Sequence, residues 1–453
     1  MFKKKVAFYT MGCKLNYAET STIARKFSPL YYKHVTFNSY ADIYVINSCS
    51  VTKNAEIEFE HIVRSAINKN SKAIIVAIGC YAQLNPKKVS SIIGVDLVLG
   101  YEEKFKIIDY INKKKWFLNK KYYAKIISKK TYFPSFSVGD RTRSFLKIQD
   151  GCDYKCSYCV IPMSRGPSRS DRIENILQNI RFLFHKGVKE IVLTGVNIGD
   201  YGKNIYGYNR QLYTFFDLIQ AIDEIQEKGR IRLSSIEPNL LRNECIKFLS
   251  KSKHFVPHFH IPLQSGSNDT LEKMHRRYKR ELYQEKVKQI RYLMPDAYIG
   301  SDIIVGFPGE THKHFLETYH FLNKLEISSL HIFTYSNRPN TKSSTMDQNV
   351  SRKIQCKRNQ IFRVLSNKKY RSFCSRQIYT KKTVLFEKNS HNKKYLYGYT
   401  ENYIRTKMLL NSCNSSSYEN TLQDVLITKI DQDGIMVAEP LNLVKNPINP
   451  ACL

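Results

Sequence analysis

The segment 151–159 places three cysteines at a spacing that suits one inorganic cofactor. It reads GCDYKCSYC, so Cys152, Cys156 and Cys159 follow a C-x3-C-x2-C pattern. A structural zinc ion is normally closed by four ligands, and cubane clusters held only by cysteine use four thiolates. A trio therefore leaves one coordination position open, and an open position is where a metal centre performs chemistry.

A second trio lies in the first part of the chain, where three strand-like apolar runs each end in a cysteine. These are VAFYTMGC, ending at Cys13, DIYVINSC, ending at Cys49, and AIIVAIGC, ending at Cys80. Such runs are typical of buried parallel strands, whose carboxyl ends meet at one edge of the sheet. We expect the three thiols to form a shared metal site, although a single cysteine in such a place is more often a small buried hydrophobe.

The elements that position the first trio alternate regularly from residue 144 onward. Repeated strand-then-helix units predict parallel strands joined by right-handed crossovers. Six of them predict a partial (β/α)6 barrel with its active site at the C-terminal mouth, just where the first trio lies. The strand candidates are 144–150, 190–196, 230–236, 258–264, 298–306 and 329–335, and the helical stretches are 173–186, 213–228, 240–251, 270–294 and 311–325.

At 453 residues the chain is long enough for several domains, and we expect an α/β protein with three of them. Residues 1–130 predict a doubly wound parallel sheet that holds the second trio. Residues 138–374 predict the barrel with a basic linking helix over 351–374. Short alternating runs over 375–440 predict a small antiparallel β-barrel.

The net charge of +33 favours a polyanionic partner, although a biased amino-acid composition rich in Lys, Asn, Ile and Tyr could also produce it. In the last domain, basic and aromatic residues that could neutralise phosphates and stack on bases are Lys393, Lys394, Tyr395, Tyr397, Tyr399, Tyr403 and Arg405. The alternative for these tyrosines is a barrel core. No apolar run is long enough for a membrane span, and eleven cysteines without an export signal indicate reduced thiols, so we expect a cytoplasmic protein.

The first trio resembles the signature of the radical S-adenosylmethionine enzymes. The segments TGVNIGDYG (194–202), SSIEP (234–238), HIPLQSGS (260–267) and DIIVGFPGET (302–311) look like pieces of their methylthiotransferase branch, and the tail is similar to the RNA-binding TRAM domain. Within the branch, MGCKLNYAET looks most like the enzymes that act on N6-threonylcarbamoyladenosine. The isopentenyl-adenosine enzymes usually carry Gln and Met where this chain has Lys14 and Leu15.

This resemblance implies two 4Fe–4S clusters, one on each trio, and S-adenosylmethionine at the cluster of Cys152, Cys156 and Cys159. It implies transfer of a methylthio group, through a 5′-deoxyadenosyl radical, to C2 of N6-threonylcarbamoyladenosine at position 37, next to the tRNA anticodon. The implied partners are the tRNA anticodon stem-loop and an electron donor such as flavodoxin or ferredoxin, and we expect a monomer. Candidates to cradle S-adenosylmethionine are Gly195, Val196, Asn197, Ser235, Glu237, Gln264, Val305, Gly306 and Pro308.

Other polar residues have weaker assignments. Arg165 and Arg169 could bind phosphate or the threonylcarbamoyl carboxylate bidentately, or could be solvated loop arginines. His258 and His260 alternate on one strand and are expected to be polar lining. The remaining thiols, which lack a convergent spacing, are expected to be ordinary free cysteines: Cys245, Cys356, Cys374, Cys413 and Cys452.

Three alternatives stay open at this point. One sibling branch acts on isopentenyl-adenosine in tRNA, and another acts on an aspartate of a ribosomal protein. A protein of a different class, a non-catalytic iron–sulfur redox sensor that binds RNA, would explain the thiols and the charge but not the six βα units.

Overall fold

A computed structural model describes residues 3–113, 122–124, 127–128, 131–139, 141–205, 213–388, 394–410 and 418–441. The prediction of free thiols at Cys413 and Cys452 lies outside these residues, as does Lys393 of the basic and aromatic set. No helix in the described ranges is both long and apolar enough to cross a membrane.

The chain begins with a six-stranded, fully parallel sheet in the order β2-β1-β3-β4-β5-β6. Apolar cores cover both faces of this sheet. As a result, strands such as β3, with the sequence IYVINS, are buried along their whole length. The order reverses between β1 and β3, which is where such sheets collect ligands. The strands are β1 (Lys4–Thr10), β2 (Tyr32–Val35), β3 (Ile43–Ser48), β4 (Ile74–Gly79), β5 (Leu97–Leu99) and β6 (Tyr122–Tyr123), and the helices are α1 (Lys14–Ala24), α2 (Lys53–Lys69), α3 (Cys80–Leu84), α4 (Pro86–Ser90) and α5 (Ile107–Lys113).

The middle of the chain forms the predicted partial barrel. Six parallel strands follow one another in chain order as two sheets, β8-β11-β12 and β13-β14-β15, joined by an isolated bridge between Ser235 and His260. A short strand, β7, adds to β8 in the antiparallel sense, which the sequence did not indicate. The strands are β7 (Ser135–Phe136), β8 (Arg143–Lys147), β9 (Gln149–Asp150), β10 (Arg169–Ser170), β11 (Glu190–Thr194), β12 (Arg230–Leu233), β13 (His258–His260), β14 (Tyr298–Val305) and β15 (Ser329–Thr334).

Helices cover the outside of this barrel and share one large apolar core with its strands. The single helical stretch predicted over 270–294 is wrong, because the chain breaks into α10 and α11 around Met274 to Lys279, with His275 at φ +55°. The helices are α6 (Ile161–Arg165), α7 (Ile173–His185), α8 (Phe215–Asp223), α9 (Asn243–Leu249), α10 (Asn268–Lys273), α11 (Arg280–Leu293), α12 (His312–Lys324) and α13 (Arg352–Ser375).

The tail is a closed five-stranded barrel in the order β16-β17-β18-β20-β19. All neighbouring strands pair antiparallel except β18 and β20, which are parallel. The prediction of a small β-barrel is confirmed, but its strands are not all antiparallel. Its core continues into the end of α13 through Phe373 and Cys374. The strands are β16 (Lys381–Phe386), β17 (Tyr395–Thr400), β18 (Arg405–Leu409), β19 (Leu422–Ile430) and β20 (Met436–Pro440).

Candidate active site

The loop that carries Cys152, Cys156 and Cys159 leaves the first barrel strand through Gly151, which has φ +70°. A Cβ atom there would lie 2.0 Å from the carbonyl oxygen of Pro167, so only glycine fits. The loop folds back on itself because Cys152 N donates to Gly166 O at 3.0 Å and Cys159 N donates to Cys156 O at 3.1 Å. All three thiols are half-buried.

The chemistry of this trio fits a cationic cofactor. Burial, with the charges of the neighbouring cysteines, raises the pKa of Cys152 and of Cys159 to about 12. Three neighbouring thiols with raised pKa values ionise together only when a metal centre stabilises their negative charge.

Arg276 lies directly beside this trio, and the sequence did not reveal it. Its Nη1 atom is 3.1 Å from Cys156 Sγ, and its Nη2 atom forms an ion pair with Glu237. Glu237, predicted to cradle S-adenosylmethionine, is thus paired next to a thiol of the trio. Because Arg276 lies in the break between α10 and α11, no helical periodicity pointed to it.

The other predicted cradle residues lie at the carboxyl ends of the barrel strands but serve different contacts. Asn197 N donates to Gln149 Oε1 at 3.0 Å, and its side-chain Nδ2 is buried without a partner among the described residues. The orphaned amide of Asn197 fits a polar ligand at the mouth. A side chain at Gly306 would strike Gln355 of α13, so Gly306 shapes a turn that packs against that helix.

The second trio gathers at the switch point of the N-terminal sheet. Cys13 follows β1, Cys49 follows β3 and Cys80 opens α3 after β4. Cys49 Sγ approaches so closely that a Cβ atom at Gly12 would lie 2.9 Å from it. Burial, together with the charges of Cys80 and Cys13, raises the pKa of Cys49 to about 11, so this trio also fits a metal cluster.

Neither trio has the compact geometry of a single-ion site. In the described ranges, the one group of three ligand atoms lying within 4.8 Å of one another is that of His260, Asp302 and His331. The sulfurs of each cysteine trio are therefore spread more widely, as a multi-atom cluster requires.

One cavity of about 220 Å³ joins the surroundings of the two trios. Cys159 lines it from the barrel loop, and Val51 and Thr52, which follow Cys49, line it from the N-terminal sheet. Gln264, which follows β13 and has φ +69°, and Asp302, within β14, complete its wall.

A buried charge network connects the two halves of this site, and it overturns both interpretations of Arg165. The guanidinium is 2% exposed and donates to Glu19, Asp150 and Asn16 at 2.6–3.2 Å. It is therefore neither solvated nor free to bind an anion. Glu19 also accepts from Lys104 at 2.7 Å and Lys147 at 3.1 Å.

Arg169 is likewise not a solvated loop arginine, but its Nε and Nη1 atoms are buried without a hydrogen-bond partner among the described residues, so the predicted anion contact stays a prediction. Arg169 is fully buried, donates to the carbonyl of Arg165 at 2.9 Å and lies over the ring of Tyr101. Arg165 lies in the chain shortly after Cys159, and its side chain contacts α1, the helix that follows Cys13. Arg169 contacts Tyr101 of the N-terminal region. The two buried arginines therefore hold the N-terminal sheet against the barrel mouth.

The interior of the barrel is polar. His260 contacts Ser235 Oγ through Nδ1 at 2.6 Å and Asp302 Oδ1 through Nε2 at 2.9 Å, while His331 Nδ1 contacts the same oxygen at 3.2 Å. Burial opposes ionisation of Asp302, but the two imidazoles hold the pKa of this carboxyl well below its usual range. His258 stacks on Tyr298 at 5.3 Å.

The tail barrel closes the opposite end of this interior. The rings of Tyr399 and Tyr403 lie 4.8 Å apart, with Arg143 over the first and Arg232 over the second, each at 4.6 Å. The prediction that these two tyrosines stack on bases is therefore wrong. On the same domain, Tyr395 and Tyr397 lie beside cations on the outer surface, at Lys407 and Arg405.

Comparisons with known proteins agree with this arrangement. The Radical SAM superfamily matches residues 146–322, and an uncharacterized protein family, UPF0004, matches residues 5–100. Among solved structures, the radical S-adenosylmethionine methyltransferase TsrM from Kitasatospora setae, with cobalamin and a 4Fe–4S cluster bound, shares the fold at a TM-score of 0.54 and 11% identity, covering 76% of this chain and 74% of that chain. Fold and site together define a radical S-adenosylmethionine protein.

Similar proteins of known activity indicate which branch of the radical S-adenosylmethionine proteins this chain resembles. Threonylcarbamoyladenosine tRNA methylthiotransferase MtaB of Bacillus subtilis is 36% identical, covering 88% of this chain and 89% of the relative, and that of Aquifex aeolicus is 40% identical over 82% and 89%. The tRNA-2-methylthio-N(6)-dimethylallyladenosine synthase of Bacillus mycoides is 33% identical over 97% and 87%. The chain belongs to the radical S-adenosylmethionine methylthiotransferase family, and its cofactors are S-adenosylmethionine and two 4Fe–4S clusters.

Proposed function

We propose that this protein transfers a methylthio group to C2 of N6-threonylcarbamoyladenosine at position 37 of tRNA, giving 2-methylthio-N6-threonylcarbamoyladenosine. The observation that carries the proposal is the shared cavity, since residues next to both cysteine trios line it. A base that enters there lies between the two centres the reaction needs.

The target atom explains why two metal centres are present. The C2–H bond of adenine is neither acidic nor electrophilic enough for acid or base catalysis by side chains, so a cofactor carries the difficult step. When bound, the cluster of Cys152, Cys156 and Cys159 supplies the electron that cleaves S-adenosylmethionine and so provides the radical. In this proposal Cys13, Cys49 and Cys80 would hold the auxiliary cluster, and a sulfur associated with that cluster would receive its methyl group from another molecule of S-adenosylmethionine.

The remaining residues bind and orient. Gly195, Val196, Asn197 and Gln264 are proposed to contact S-adenosylmethionine, and the buried Asn197 amide supports this. Arg276 donates towards Cys156 and holds Glu237 in place. Ser235, Val305, Gly306 and Pro308 are proposed to shape the pocket at the strand ends.

The partners follow from the same proposal. The anticodon stem-loop of tRNA binds with help from the basic tail domain, a flavodoxin or ferredoxin delivers electrons, and the enzyme acts as a cytoplasmic monomer. Residues 1–130, 138–374 and 375–440 are proposed as the three domains.

The second candidate substrate is isopentenyl-adenosine in tRNA, which the similarity to the dimethylallyladenosine enzyme supports. Lys14 and Leu15 argue against it, because that branch usually carries Gln and Met there. The basic charge of the chain argues against a ribosomal-protein aspartate as substrate.

The deciding experiment is mass spectrometry of tRNA nucleosides from cells with and without this gene. Loss of 2-methylthio-N6-threonylcarbamoyladenosine, restored by the wild-type gene, is expected; an unchanged level refutes the assignment. Cys156→Ala abolishes both cleavage of S-adenosylmethionine and tRNA modification, whereas Cys49→Ala retains some cleavage. Equal loss of both in the Cys49 variant contradicts an independent auxiliary cluster.

A further inference from the structure

A groove of about 660 Å³ continues outward from the inner cavity, the one that lies between the two cysteine trios. This outer groove and the inner cavity share Thr52 and the segment 333–336, which spans the end of β15 and the two residues after it. Lys53 N donates to Ser336 Oγ at 3.2 Å, so the start of α2 meets the end of β15 at this junction. The outer groove therefore connects the protein surface with the cavity proposed to receive the base.

The charged side chains that line the outer groove are all positive. Lys53 lies at the start of α2, and Arg352 and Arg363 lie on α13, whereas no Asp or Glu among the described residues lines the groove. All three side chains are exposed, and none of them forms an ion pair within the described ranges. Cations without counter-charges along a groove favour a polyanionic ligand.

The two groove arginines differ from a structural arginine of the same helix. Arg358 is buried and pairs with the carboxylate of Glu310, which is also buried. Arg352 and Arg363 are about three helical turns apart, so they share the face of α13 that lines the groove. Because α13 contains no acidic residue, its sequence provides no i, i+4 partner for either of them.

An exposed aromatic ring lies where the outer groove meets the inner cavity. Phe333 lines both and is 45% exposed, although it belongs to a barrel strand. Tyr335, two residues later, is buried, packs edge-on against Phe307 at 5.6 Å and donates to Ser343 Oγ at 2.9 Å. In the described part of the chain no aromatic ring packs on Phe333 in this way, so its face is available to stack on a base.

We propose that the outer groove binds the RNA strand that flanks the target adenosine. A neighbouring base stacks on Phe333, and Lys53, Arg352 and Arg363 contact the phosphates as the strand leads away from the inner cavity. This inference rests on the proposed function and adds the path that the RNA takes to the site. An acidic electron-transfer protein would match the charges, but it would not use the exposed ring or the continuity with the inner cavity.

The position of α13 supports this path. The helix has 24 residues and is therefore about 36 Å long. Its first half lines the outer groove, and its last residues, including Phe373, join the core of the tail barrel. A strand that follows α13 away from the groove thus approaches the domain proposed to help bind the anticodon stem-loop.

The charges are tested with cluster-loaded protein and a fluorescently labelled anticodon stem-loop that contains N6-threonylcarbamoyladenosine. Fluorescence anisotropy gives the Kd at several salt concentrations. Each phosphate contact to a single strand adds about 0.7 to the slope of log Kd against log salt, so Arg352→Gln/Arg363→Gln should lower this slope by about 1.4. The same double variant should bind the stem-loop about tenfold more weakly at moderate salt.

The stacking contact has a different signature. Phe333→Ala should also weaken binding about tenfold, but it should leave the salt slope unchanged because no charge is lost. A 2-aminopurine base placed on either side of the target adenosine reports stacking directly. For one of the two neighbours, its fluorescence should be quenched on binding to wild-type protein and to Phe333→Tyr, and should recover with Phe333→Ala.

Lys313→Gln/Lys324→Gln is the matched control for the arginine variant. Both lysines are exposed, have the same spacing on α12, and line a different groove that also contains Glu281 and Glu317. This equal loss of two charges should leave the Kd and the salt slope unchanged. Iron content and visible absorbance must match wild type in every variant, so that damage to either cluster is recognised.

The outcomes are distinct. If Arg352→Gln/Arg363→Gln or Phe333→Ala, with intact clusters, binds the stem-loop as wild type does, the assignment of the groove is wrong, while thiolation by wild-type protein still upholds the proposed function. If the arginine variant binds RNA normally but is reduced more slowly by flavodoxin, the groove serves the electron donor and the proposal is overturned. If wild-type protein does not thiolate the stem-loop, the proposed function itself fails.

Discussion

Neutralising Glu19 is expected to loosen the contact between the N-terminal sheet and the barrel. Its carboxylate is fully buried and contacts Lys104 at 2.7 Å, Lys147 at 3.1 Å and Arg165 at 3.2 Å. In Glu19→Gln, Asp150 is the one carboxylate of this network that remains to balance the three buried cations. Removing one partner of a buried ion pair typically costs about 3–5 kcal/mol, so the free energy of unfolding should fall by about that amount at neutral pH.

The measurement is urea unfolding followed by circular dichroism. Arg165→Met should also lower the free energy of unfolding. The double variant Glu19→Gln/Arg165→Met should lose less stability than the sum of the two single variants, because each single substitution leaves the opposite charge of the pair without its partner. The matched control is Glu60→Gln, which breaks an exposed pair with Arg64 and should change stability by less than about 0.5 kcal/mol. A loss below about 1 kcal/mol for Glu19→Gln, or strict additivity, refutes the reasoning.

Three further predictions concern the same region. Gly151→Ala places a Cβ atom 2.0 Å from Pro167 O and should abolish cluster binding at the barrel loop, read as lost iron and visible absorbance; normal cluster content contradicts it. Arg276→Gln removes the cation beside Cys156 and should lower the reduction potential of that cluster, measured by redox titration; an unchanged or higher potential contradicts it. Arg165, Lys104 and Lys147 lower the pKa of Glu19 in the folded protein. The stability contributed by the Glu19 carboxylate is therefore complete above its unfolded-state pKa, and it is lost as the pH falls from there through the folded-state pKa. Glu19→Gln should consequently lose less stability on acidification than wild type does.

The sequence predicts most of the fold because its strands are buried on both faces and end in chemically distinctive residues. The runs before Cys13, Cys49 and Cys80 are continuous and apolar, so both their strand character and the common position of their ends could be recognised. The same holds for the six barrel strands, since helices separate them regularly.

What the sequence conceals depends on contacts between distant residues. Arg165 looks like a loop arginine until Glu19, which lies 146 positions earlier, is placed against it. Tyr399 and Tyr403 look like base-stacking residues until Arg143 and Arg232 lie over their rings. Arg276 carries no periodic signal, because it lies where one helix has ended and the next has not begun.

The separation of Glu19 from Arg165 also sets an order of events during synthesis on the ribosome. Glu19 leaves the ribosome 146 residues before Arg165, and at typical rates of translation that interval lasts about 7–30 s. Cys49 and Cys80 emerge within that interval, but the segment still lacks the arginine that secures the helix after Cys13. The contacts that secure the helix after Cys13 are therefore complete only after the barrel loop has emerged, and we expect the second trio of thiols to receive its iron late in the synthesis of the chain.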